Sequence, residues 1–93
     1  MDGPPAAAFD PRRGWRLHPQ VALRPEEFGA LAYHYGNRRL VFLKSPRLVS
    51  LVSALADHDT ADGALDATVP ATERDRYRRA LAHLAASEVI DAR

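Results

Sequence analysis

The dipeptide Ser45-Pro46 divides this chain into two unlike halves. A serine at an N-cap accepts a hydrogen bond from a first-turn N–H, and proline at the first helical position has no N–H to leave unpaired. The pair therefore predicts a helix start, with Leu48, Leu51, Val52 and Leu55 repeating at helical spacing up to Asp57. His58-Asp59-Thr60 breaks it. Thr60 or Asp62 then caps a short second helix through Ala64, Leu65 and Ala67, which Pro70 ends. A third helix is predicted from Thr72 as cap, with Glu73 and Asp75 in its first turn, to about Ser87. Tyr77, Leu81, Leu84 and Ala85 form its apolar stripe, and Val89-Ile90 is expected to latch back onto the core.

Upstream of the junction the residue types favour strands. Val21-Ala22-Leu23-Arg24, closed by Pro25, suits a first or edge strand. Phe28 to Tyr35 and Arg38 to Lys44 are apolar-rich runs separated by Gly36-Asn37, a link whose residues tolerate the positive φ of primed hairpin turns. A two-residue loop there sets Tyr33 opposite Leu40 and Leu31 opposite Phe42 on one face. The other face pairs His34 with Arg39, Ala32 with Val41 and Ala30 with Leu43, so both faces are substantially apolar. Residues 1–14, rich in proline, glycine and alanine, read as a flexible lead-in, with order from Trp15 onward and one domain over 15–93. Three antiparallel strands followed by three helices make an α+β domain whose helices resemble a small winged-helix unit.

Composition narrows the chemistry. With 93 residues there is room for one modest core. Thirteen basic against twelve acidic residues lack the clear excess by which domains grip nucleic acid through bulk charge. Zero cysteines exclude disulfides, thiolate metal sites and cysteine nucleophiles. No apolar run suits a membrane span and the N-terminus has no signal-peptide pattern, so a cytoplasmic domain is expected. His18, His34, His58 and His83 are not spaced as a helical metal site, no serine sits in a nucleophile elbow, and no glycine-rich phosphate loop exists. Neither an enzyme nor a cofactor is expected.

Two basic features remain. The third helix carries Arg74, Arg76, Arg78 and Arg79, with Arg74 and Arg78 on one flank of its apolar stripe and Arg76, Arg79 and His83 on the other. The last strand, Arg38-Arg39-Leu40-Val41-Phe42-Leu43-Lys44, has an apolar centre between basic ends. An edge strand must be charged, covered or used, and a used edge accepts an incoming peptide as an additional strand.

The ordered pattern from Trp15 to Asp91 resembles the PqqD-like family, the RiPP recognition elements, and within it the peptide chaperones of the mycofactocin system. The resemblance rests on Trp15-Arg16-Leu17-His18-Pro19, on the strand pair around Tyr33-His34-Tyr35-Gly36-Asn37-Arg38-Arg39-Leu40-Val41-Phe42-Leu43, and on Lys44-Ser45-Pro46. It continues through Asp57-His58-Asp59-Thr60 and Ser87-Glu88-Val89-Ile90-Asp91. The chain departs from the family where Ser87-Glu88 replaces a glycine-containing turn. It departs again where Ala61 and Ala64 replace a branched aliphatic, which predicts a weakly packed second helix.

The resemblance implies a non-enzymatic chaperone. It would bind the acidic leader of a ribosomally made precursor peptide as a strand beside the third helix, and present it to a radical S-adenosylmethionine maturase. The residues it points to are Arg39, Leu40, Val41, Phe42, Leu43, Arg74, Tyr77, Arg78 and Leu81, with Arg79 as a further candidate. Two other readings stand beside it: a winged-helix DNA-binding protein using the third helix, and a weak homodimer formed through the two-sided apolar sheet.

Overall fold

The computed structural model describes residues 8–93. Strands β1 (Trp15–Leu17), β2 (Val21–Glu26), β3 (Gly29–His34) and β4 (Leu40–Leu43) precede helices α1 (Pro46–Ala54), α2 (Ala61–Thr68) and α3 (Arg74–Ala86), and β5 (Ile90–Ala92) closes the chain. The expected three-stranded antiparallel sheet is present in the order β2-β3-β4. Its β3–β4 register is the expected one, with Tyr33 opposite Leu40, Leu31 opposite Phe42, Ala32 opposite Val41 and Ala30 opposite Leu43. Alternation then sends Val21, Ala30, Ala32 and Leu43 into one core with Leu48, Leu51, Val52 and Leu55. The small alanines of β3 let α1 lie close against the sheet.

The helix starts follow local chemistry. Ser45 Oγ accepts from the Leu48 N–H at 3.2 Å, and Thr60 Oγ1 accepts from the Gly63 N–H at 3.0 Å. Thr72, expected to cap α3, instead lies inside a 3-10 turn over Ala71–Glu73. Its neighbour Glu73 occupies the N-cap position and no side chain caps there. Pro70 starts that turn early, with the Glu73 N–H donating to the Pro70 carbonyl at 2.9 Å, so α3 grows out of a turn already closed.

Four further differences from the sequence reading have physical causes. First, Val89-Ile90 is more than a latch: Ile90 begins β5, which pairs antiparallel with β1 in a second sheet, Trp15 opposite Ala92 and Leu17 opposite Ile90. Strands of three residues carry too little periodicity to be seen in sequence. Second, the lead-in expected over 1–14 is tied down over its described part. Trp15 Nε1 donates to the Asp10 carbonyl at 2.9 Å, the Ala61 and Asp62 N–H groups donate to the Arg13 and Pro11 carbonyls, and Phe9 packs on Trp15. Residues 1–7 of that lead-in lie outside the described residues. Third, α2 is not weakly packed: Ala61, Ala64 and Leu65 are fully buried, with α2 laid against α1 and α3, and the carbonyls of Pro11 and Arg13 take the N–H groups at its start.

The hairpin loop is the fourth. It spans Tyr35–Arg38, and the positive φ falls on Arg38 (61°) rather than on Gly36 or Asn37. Buried His34 directs this. Its Nδ1 accepts from the N–H groups of Gly36 and Asn37 at 3.0 and 3.1 Å, while the Arg38 N–H donates to the His34 carbonyl at 2.7 Å. The loop is longer than two residues, yet it leaves the pairing register unchanged.

Candidate peptide-binding edge

The sheet has two edges, and hydrogen-bond alternation sets them apart. In an antiparallel pair, successive residues turn their N–H and C=O alternately toward the partner and away from it. The Tyr35 N–H bonds to the Gln20 carbonyl at 2.8 Å, so odd-numbered residues of β3 face β2. In the β2–β3 register this turns the backbone groups of Val21, Leu23 and Pro25 outward. Pro25 has no N–H, and the Val21 N–H already donates to the His18 carbonyl at 2.9 Å. Only Leu23 keeps an outward donor, so β2 is a blocked edge.

The opposite edge is open. The His34 N–H donates to the Arg39 carbonyl at 2.9 Å, so even-numbered residues of β3 bond to Arg39, Val41 and Leu43. Leu40 and Phe42 therefore turn both N–H and C=O away from the sheet, and among the described residues none of these groups has a backbone partner. An extended chain laid along β4 would complete that ladder.

The side chains around this edge divide by face. Leu40 and Phe42 stand on the outer face, 55% and 54% exposed. Tyr33, Tyr35 and Phe28 are also exposed there or at its rim, and the Phe28 and Phe42 rings lie 5.9 Å apart. A depression of about 450 Å³ runs from Leu40 across Tyr33 and Leu31 to Ala22, Leu23 and Arg24. On the inner side, Val41 is half-buried and Leu43 is fully buried. Arg39 is exposed, and among the described residues Arg38, Arg39, Lys44 and Arg79 form no ion pair.

The expected contribution of α3 is placed differently. Tyr77 and Leu81 are buried core residues, Tyr77 with its hydroxyl 3.0 Å from Ser45 Oγ, so neither presents a side chain to an incoming peptide. Arg74 pairs with Asp66, and Arg78 bridges Asp62 at 3.1 Å and Asp75 at 2.9 Å. Their flank of α3 faces α2, and their charge is engaged within the fold. A signal for this was present in the sequence: Asp62 and Asp66 are spaced four apart, as are Arg74 and Arg78, which matches two helices laid side by side. Arg76, on the other flank, holds Glu73 at 3.0 Å. Of the nine expected residues the fold therefore brings Arg39–Leu43 together on one edge, and sets Arg74, Tyr77, Arg78 and Leu81 into the packing behind it.

Comparison with known proteins covers both the edge and its support. The model of the peptide chaperone MftB family matches residues 14–91. The chain is similar to the peptide chaperone MftB of Mycobacterium ulcerans, 51% identical over 86 residues that span 91% of this chain and 79% of the relative. It is 49% identical over 86 residues, with the same coverage, to peptide chaperone MftB of Mycobacterium tuberculosis, and 49% identical over 83 residues to that of Mycolicibacterium smegmatis. No solved structure matches it significantly. Half the residues are identical along a stretch that includes the hairpin, the open edge and all three helices, and on that ground this chain belongs to the peptide chaperone MftB family.

Proposed function

We propose that the chain is a non-enzymatic chaperone that takes the acidic leader of a ribosomally made precursor peptide as an added strand on β4. In this reading it presents the peptide to a radical S-adenosylmethionine maturase of mycofactocin biosynthesis. The observation that carries the proposal is the asymmetry of the sheet: β2 is closed by Pro25 and His18, while β4 offers Leu40 and Phe42, whose backbone groups have no backbone partner among the described residues. Basic residues at both ends of β4 would steer an acidic chain onto it. Main-chain pairing and apolar contact supply affinity that survives salt. A ribosomally made substrate sets the work in the cytoplasm. No helix among the described residues is long and apolar enough to cross a membrane.

The alternative of a DNA-reading third helix gains nothing from this arrangement, because Arg74, Arg76 and Arg78 are held by carboxylates. The test is titration of the isotope-labelled protein with a synthetic acidic leader peptide at moderate salt, with duplex DNA as control. One-to-one binding with shifts centred on the Leu40–Leu43 amides is expected. Peptide silence beside clear DNA binding would overturn the proposal.

A further inference from the structure

We infer that the bound strand is read on the outer face of the sheet, through two apolar side chains two residues apart with a carboxylate two residues beyond each. The inference rests on the proposed addition of a peptide to β4 and names the peptide class that this edge selects.

The backbone groups that an added strand must use belong to Leu40 and Phe42, and the side chains of these two residues stand on the outer face. Residues directly opposite each other in an antiparallel pair share a face. The two peptide residues hydrogen-bonded to Leu40 and Phe42 therefore lay their side chains beside these two, within reach of Phe28 and Tyr33. The peptide residue between them, opposite Val41, turns to the other side. Sliding the peptide by one residue would move its apolar pair off this face, so the alternation itself is selected.

Charge fixes the ends. Lys44 follows β4, Arg38 and Arg39 precede it, and none of the three forms an ion pair among the described residues. The outer face's own carboxylate, Glu26, is held by Arg24 at 2.8 Å. Two residues beyond the apolar pair on either side, a peptide carboxylate would come beside Lys44 at one end and Arg38 at the other. The pattern acid-x-apolar-x-apolar-x-acid reads the same in both directions, so it does not depend on which way the peptide runs. A second copy of this chain suits the edge poorly: antiparallel pairing of two β4 strands about Val41 sets Lys44 opposite Arg38, like charge against like.

The test uses three blocked peptides on the whole protein, followed by calorimetry and by amide shifts. The first has the core Glu-Thr-Ile-Thr-Ile-Thr-Glu, the second the same composition with the isoleucines adjacent, and the third lysine in place of both glutamates. The first is expected to bind at least tenfold tighter than the second. It should also exceed the third by at least tenfold at low salt, a gap that narrows as salt rises. Phe42→Thr, at an exposed strand position, should erase the preference for the alternating peptide while the thermal midpoint stays unchanged. Equal affinity for the first two peptides, with the Leu40–Leu43 amides still shifting, would overturn the outer-face reading and leave strand addition standing. If no peptide moves those amides, strand addition falls with it.

Discussion

The Tyr77 hydroxyl lies 3.0 Å from Ser45 Oγ, joining the first turn of α3 to the N-cap of α1. The same serine oxygen also accepts the Leu48 N–H, so one hydroxyl group ties the end of β4, the start of α1 and α3 together. Tyr77→Phe deletes this bond and keeps the ring. A loss of about 1 kcal/mol in urea unfolding is expected, with peptide affinity unchanged. A large affinity loss with unaltered stability would instead make Tyr77 a binding residue.

Gly29 opens β3 with φ of 149°, and a Cβ there would strike the Leu43 carbonyl across the strand pair. Gly29→Ala must shift β4 or rotate the backbone. A destabilisation of about 2 kcal/mol is expected by chemical denaturation, together with amide shift changes along Leu40–Leu43.

Arg39 and Arg78, both expected in the site, should separate by experiment. Arg39→Glu reverses an exposed charge beside the open edge and should weaken an acidic peptide severalfold, most at low salt, with little change in stability. Arg78→Glu sets a third carboxylate against Asp62 and Asp75. It should cost roughly 1 kcal/mol of stability, since the paired side chains are partly exposed. Denaturant midpoints and peptide titrations on both variants check this division.

The Asp10 carboxyl is held below its usual range, first by the Arg12 side-chain hydrogen bond and then by the Arg12 N–H, against a smaller opposing effect of burial. A carboxylate lowered in the folded state contributes stability that is fully present above its unfolded midpoint. That contribution is lost as pH falls through the lower, folded midpoint. The expected effect is therefore confined to the acid side of the usual carboxylate range. Carbon-detected NMR titration should find Asp10 titrating low, and Arg12→Ala should bring its midpoint back up.

What the sequence determined by itself was local or periodic. Ser45-Pro46 dictated the start of α1 because cap chemistry acts within one turn. The spacing of Leu48, Leu51, Val52 and Leu55 dictated the buried face, and the alternation of β3 and β4 dictated their register even though His34 reshaped the loop between them. What only the tertiary structure decided was which neighbours meet. The β1–β5 pair joins segments about 75 residues apart through strands too short to show a period. Arg74 and Arg78 of α3 pair with carboxylates of α2 once the two helices are laid together, since a charge's role depends on what faces it. Only the assembled sheet distinguished its two edges, because a missing N–H at Pro25 or an open one at Phe42 matters only once it is known which way each backbone group points.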